Sequence, residues 1–185
     1  MSISARNIRN EVLITESGFT LVELLIVVVI VSLLTGALIP SFSSYIKNQN
    51  LKQAQQTLLS DLRNVQNKAM TGTASSTGVN YWGINIPNAS ASSYTYFTSE
   101  FNTSCTPGGI YTNQGNSQAF ISPITLNSSQ GCLFFSIENG DANYFGLPAC
   151  PAGELAGMTC INICDSATSC KYVGINANGM MSASI

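Results

Sequence analysis

The sequence predicts an α+β protein: a long amino-terminal helix, apolar in its first half and amphipathic in its second, packed on an antiparallel, disulfide-stapled β-sheet head. Three observations carry this. Phe19 to Ile39 is a run whose only charge is Glu23. A three-and-four-spaced apolar stripe follows it as far as Gly72. Beyond that, short β-like runs alternate with Gly, Asn, Ser and Pro clusters and hold all six cysteines.

Residues 1–18 are polar, with Arg6 and Arg9 set against Glu11 and Glu16. Residues 19–40 form the apolar segment, and at about 1.5 Å per residue it matches the roughly 30 Å core of a bilayer. It is longer than the hydrophobic core of a secretory signal, and no small-residue cleavage site follows it. A single membrane helix is expected. Arg6 and Arg9 place residues 1–18 in the cytoplasm and the remainder outside.

Residues 41–72 read as an amphipathic helix continuous with the span. Phe42, Tyr45, Ile46, Leu51, Ala54, Leu58, Leu62, Val65 and Ala69 make the stripe, and Lys47, Lys52, Asp61, Arg63 and Lys68 fall between them. Pro40 lacks an amide donor and presses on the carbonyl of Gly36. The segment between them is either a kink or local melting, or else Pro40 simply marks the membrane exit. Gly72 and the turn-rich TASSTG end the helix.

Residues 73–185 form the head. The runs YWGINI, SYTYFT, AFISPITL, CLFFSI, NYFGL, TCINIC and KYVGINA read as strands of an antiparallel sheet. One face of that sheet is expected to cover the helix stripe, because each alone leaves an apolar face in water. Tyr81, Trp82, Tyr94, Tyr96, Phe134, Phe135 and Tyr144 read as core aromatics rather than a carbohydrate platform.

Six cysteines confined to the outer part, with no histidine and no paired CxxC, point to disulfides in an oxidising compartment rather than to a metal. Fifteen pairings are possible. Local spacing favours one. The runs flanking DSATS bring Cys164 opposite Cys170, and Cys150 with Cys160 closes PAGELAGMT. Cys105 is left with Cys132.

The composition argues against several functions. There is no histidine to act as a general base and no glycine-rich phosphate loop, so no catalytic residue, cofactor or metal is assigned. From Gly72 onward Lys171 is the only base, against Glu100, Glu138, Asp141, Glu154 and Asp165. A head with one base and five acids, net −4, repels DNA. Three sequons, at Asn88, Asn102 and Asn127, are either surface glycan acceptors or chance matches in a chain rich in Ser and Asn.

Glu23 remains to be explained. A carboxylate in a bilayer costs several kcal/mol without a partner, so it either reaches the headgroups or serves a function. Gly18-Phe19-Thr20-Leu21-Val22-Glu23, followed by the apolar helix, resembles the processing site of type IV prepilins and their pseudopilin relatives. The resemblance implies a pilin fold and cleavage between Gly18 and Phe19 by a membrane-embedded prepilin peptidase. N-methylation of the new amine on Phe19 would come next. It also implies a helix break at Gly36 and Pro40, and makes Glu23 the assembly residue that neutralises that amine, on its own chain or on a neighbouring subunit.

The head is similar to pseudopilin H and its minor-pilin relatives, which share a helix ending like DLRNVQNKAM and a last turn like Ile175-Asn176-Ala177-Asn178-Gly179. The resemblance implies a filament subunit held in the membrane before assembly, with its head extracytoplasmic. It would pass through an inner-membrane assembly platform, with other pilin subunits, into a cell-surface type IV pilus or a periplasmic type II secretion pseudopilus. The alternative is a minor tip or initiating pilin whose head binds DNA, a surface or secretion cargo. The tail Met180 to Ile185 lacks the basic residues that DNA-binding minor pilins carry there.

Overall fold

The computed structural model of the protein describes residues 18–72, 78–101, 105, 111–115, 117–126, 130–153, 155–166 and 169–184, without the side chains of 37–41, 111 and 166. Helix α1, Leu21–Met70, is fifty residues long and the one helix among the described residues. The chain divides into two compact units, 1–43 and 44–185.

In the first unit every described side chain from Leu21 to Gly36 is exposed, on all faces of the helix. Leu, Ile and Val dominate it. Among the described residues no helix is long and apolar enough to cross a membrane. The described side chains of the apolar run stop at Gly36, short of the roughly 20 residues a bilayer requires. The local melting expected between Gly36 and Pro40 is not found: α1 runs through both residues without interruption, the remaining hydrogen bonds of the helix carrying it past the amide that proline lacks; only the side chains of 37–41 lie outside the described residues.

In the second unit two antiparallel sheets share the helix. The larger has the order β3-β2-β1-β6-β7, where β1 is Tyr81–Ile86, β2 Ser93–Ser99, β3 Tyr111–Asn113, β6 Gly131–Ser136 and β7 Ala142–Phe145. Strand β4, Gln118–Ala119, also pairs with β2. The smaller sheet runs β10-β9-β8-β5, with β5 Thr125–Leu126, β8 Thr159–Ser166, β9 Ser169–Ile175 and β10 Met181–Ala183. The sequence pattern implies one sheet instead. The difference arises in AFISPITL, which reads as one strand: Pro123 has no amide to donate, and a turn closed by Ile124 N to Ile121 O interrupts the run. Its two ends therefore join different sheets, β4 on β2 and β5 on β8.

The stripe on α1 is buried from Leu51 onward: Leu51, Ala54, Leu58, Leu62, Val65 and Ala69 sit in one core with Trp82, Ile84, Leu133 and Phe135 from the larger sheet and Ile161, Ile163, Val173 and Ile175 from the smaller. Phe42, Tyr45 and Ile46, expected on the same stripe, are exposed instead. Of the aromatics expected in the core, Trp82, Tyr94, Phe134 and Phe135 are buried; Tyr81 and Tyr96 are half-buried and Tyr144 is exposed.

Polar contacts fix how the helix lies on the sheets. Gln55, only 5% exposed, donates to the carbonyls of Tyr172 (2.8 Å) and Ser184 (3.0 Å). Three helical turns later Gln66 donates to the carbonyls of Gly140 (3.2 Å) and Gly179 (3.1 Å), at the turns after β6 and β9. Between them the Tyr94 hydroxyl donates to the Asp61 carboxylate, and beyond Gln66 Lys68 lies over the rings of Trp82 (5.3 Å) and Tyr96 (5.8 Å). Burial, then the Asp61 carboxylate, push the Tyr94 and Tyr96 phenols well above the ordinary tyrosine range, so both stay protonated donors.

The opposite face of the larger sheet carries a second, smaller cluster of Phe97, Cys132 and Phe134. The Phe97 and Phe134 rings meet edge to face at 5.0 Å over Gly83, which is paired with both residues across the sheet. Disulfides join Cys105 to Cys132, Cys150 to Cys160, and Cys164 to Cys170, with Cα separations of 5.6, 4.8 and 4.1 Å. The first ties a loop to this cluster. The other two brace the smaller sheet, one at the start of β8 and one across β8 and β9.

Two substitutions test this packing. A Cβ on Gly83 would land on the Leu133 carbonyl and 2.6 Å from the Phe97 ring. Gly83→Ala is therefore expected to destabilise the head by about 1–3 kcal/mol, although alanine is ordinarily the better strand residue. Tyr94→Phe leaves Asp61 short of a donor and is expected to cost about 1–3 kcal/mol. Denaturant unfolding of the detergent-solubilised chain measures both, and wild-type stability in either variant would contradict the packing.

Candidate functional site

The residues singled out by the sequence lie at the start of α1. Gly18 and Phe19 precede the helix, and Phe19 is 84% exposed. A Cβ on Gly18 would meet nothing within 4 Å.

Thr20 is the N-cap. Its carbonyl accepts the first helical bond, from Leu24 N at 3.2 Å. Its hydroxyl accepts from Glu23 N at 3.2 Å, and the Glu23 carboxylate accepts in return from Thr20 N at 3.3 Å and from the Thr20 hydroxyl at 3.4 Å. This is a capping box, in which N-cap and N3 side chains satisfy each other's otherwise orphaned amides. The carboxylate also sits in the first turn, where it compensates the positive end of the helix dipole. Sequence reasoning gave Glu23 a role and overlooked Thr20, although T-x-x-E ahead of an apolar run is a recognisable capping signal.

The helix-break pair is placed only in part. Gly36 is exposed with open space around it, and the side chain of Pro40 lies outside the described residues. In the head, the turn Ile175 to Gly179 links β9 to β10: Asn176 Oδ1 accepts from Met180 N at 2.8 Å, and Gly179 takes a positive φ of 74°. The sequon Asn88 lies on an exposed turn; Asn102 and Asn127 lie outside the described residues. Among the described residues no group of three or more His, Cys, Asp or Glu side chains is placed to hold a metal ion.

A carboxylate held at N3 by its own N-cap, just beyond an open Gly-Phe-Thr segment, can do two things chemically. It caps the helix while the chain is intact. It can also neutralise a cation at residue 19, should the Gly18–Phe19 bond be cut.

No curated protein and no solved structure matches the chain. Residues 13–39 match the family model described as the prokaryotic N-terminal methylation motif, which spans Gly18, Phe19, Thr20 and Glu23. The chain thus carries the leader signature of type IV prepilins and pseudopilins.

Proposed function

We propose that the protein is a pilin-like filament subunit, and the methylation motif over residues 13–39 is the observation that carries this reading. Residues 1–18 are a leader removed by prepilin peptidase between Gly18 and Phe19, after which the Phe19 amine is methylated. Residues 19–40 anchor the chain in the membrane and then pack in the filament core; 41–72 join that segment to the extracytoplasmic head, 73–185. The product is a type IV pilus or a type II secretion pseudopilus.

Exposure of the first half of α1 supports the reading. A helix that is apolar on every face is stable only in lipid or among other helices. Before assembly the bilayer supplies that environment, and afterwards the same segment of other subunits does.

The charge logic rests on the capping box. Cleavage creates an α-amine with a reference pKa near 8, largely protonated at neutral pH. It appears beside the positive end of the helix dipole, which disfavours it. Glu23 supplies the opposite charge. Two charges taken out of water together cost far less than either alone, so pairing Glu23 with the Phe19 amine of an adjoining subunit sets axial register as well as adding attraction. In the free subunit Thr20 holds the carboxylate in place for that exchange.

Capping and charge pairing are separable by substitution. Glutamine at N3 completes a capping box as well as glutamate does but carries no charge. Glu23→Gln and Glu23→Ala should both still be cleaved, and both should enter sheared filaments at least about ten-fold less, since an unpaired buried charge costs about 3–5 kcal/mol. Wild-type incorporation of Glu23→Gln would assign the residue to capping alone. The mass and amino-terminal sequence of the chain recovered from its native membrane test the processing step. A methylated Phe19 start is expected, and a retained Met1 would defeat the reading. High abundance in the sheared fraction favours a structural subunit over a tip pilin.

A further inference from the structure

The second unit has two ends along α1, and they differ in kind. At the Ile46 end an open groove of about 450 Å³, solvent space included, runs between Asn50, Gln53, Ala54 and Thr57 on the helix and Phe120 to Ile124 on the β4–β5 connection. Ile46 lies four and seven residues before Asn50 and Gln53, and Lys47 lies three and seven before Asn50 and Ala54, so both stand on the helix face that forms the groove. Ile46 is 41% exposed, and Ile121 on the far wall is 67% exposed. This end is apolar and cationic.

The Met70 end is about 36 Å further along the helix, at 1.5 Å per residue. There Gln66 gathers the turns after β6 and β9 through the Gly140 and Gly179 carbonyls, and Ala142 N donates to Ala177 O at 2.9 Å. The Met70 side chain lies 3.1 Å from where a Cβ of Gly140 would be. Met70 and Met180 are 52% and 58% exposed, and Glu138 is exposed on the turn beside Asp141. This end is apolar and carries the exposed carboxylate of Glu138, while Lys68 on the last turn of α1 is turned onto the rings of Trp82 and Tyr96. Among the described residues neither Lys47 nor Glu138 has an ion-pair partner.

We infer that the two ends dock on each other between copies of this chain. The Met70 and Met180 side chains of one copy enter the Ile46–Ile121 groove of the next, with Glu138 set against Lys47. The charge complementarity commits the groove to this occupant: one surface supplies an unpaired cation beside an apolar groove, and the other supplies an unpaired carboxylate beside exposed thioethers. Methionine is unbranched and polarisable, and fills an irregular groove readily. Two different surfaces at opposite ends make a heterologous contact, which propagates along a filament when its rotation does not close into a ring. Opposite charges at the rim fix its polarity, because the reversed pairing sets like charges together. The contact rests on the filament reading above, to which it adds a second interface, separate from the apolar first half of α1.

The test is a charge exchange in the full-length chain, read as the amount recovered in sheared filaments against the amount of processed chain in the membrane. Lys47→Glu and Glu138→Lys both change exposed residues. Each alone should leave processing intact and lower incorporation about ten-fold, as expected when like charges face one another. The double variant should return to within about two-fold of the unaltered chain. A photoreactive residue at Ile121 should give adducts to the Met180 peptide of another copy.

Single variants that assemble normally, or a double variant no better than the singles, would overturn the head contact and leave assembly through α1 standing. Absence of the unaltered chain from sheared filaments would overturn both.

Discussion

The apolar face that α1 presents from Leu51 to Ala69 is the one surface that both sheets share. Among the described residues no strand of one sheet is paired with a strand of the other, although the Ala91–Leu126 bridge and the Ala142 N to Ala177 O bond tie their ends, and each sheet buries its inner face against these six helical residues. Because burial scales with area removed from water and has no direction, this contact alone would let the sheets slide along the helix. Gln55 and Gln66 prevent that. Each is a helical amide held by backbone carbonyls of the strands or turns, and moving the helix by a turn would leave those buried groups unpaired. Asp61 with Tyr94 adds a third fixed point on the larger sheet.

That packed head contrasts with the other half of α1. Its side chains cover nothing in the single chain, and a run of exposed Leu, Ile and Val cannot persist in water. A filament subunit needs this division of labour. On the proposed reading, one half of the helix completes the folded head, while the other half is left to change partners from lipid to neighbouring helices. The capping box closes the free end: its reciprocal bonds satisfy the terminal amides, and they keep a carboxylate at the place where processing would create a cation.

Much of this was legible in the residues. The long apolar run, the stripe on α1 and most strands come from periods of 3.6 and 2.0, because side-chain direction is fixed by local backbone geometry. The motif around Gly18 and Glu23 is a contiguous hexapeptide, readable without any fold. The features that were not legible depend on partners distant in sequence. AFISPITL has the composition of a strand, yet its two halves pair with β2 and β8. Phe42, Tyr45 and Ile46 keep the period of the stripe but are exposed, so periodicity alone placed them in a core whose helical members begin at Leu51. Short β3 and β10 were missed because three residues are too few for alternation to register. Thr20 was overlooked for another reason. Its signal is local, but the charge beside it drew the interpretation toward assembly.

By itself the sequence determined that this chain has an apolar helix with a processing motif, an amphipathic continuation, and a β-rich head whose cysteines lie wholly outside the helix. These are properties of contiguous residues, set by hydropathy, spacing and residue chemistry. Only the tertiary structure decided that the head is two sheets on one helix, that two glutamines clamp them, and that Lys47 and Glu138 lie at opposite ends of the unit. Those facts depend on which residues, far apart in the chain, compete successfully for the same helix face and the same backbone carbonyls. That competition is settled only when the whole head packs.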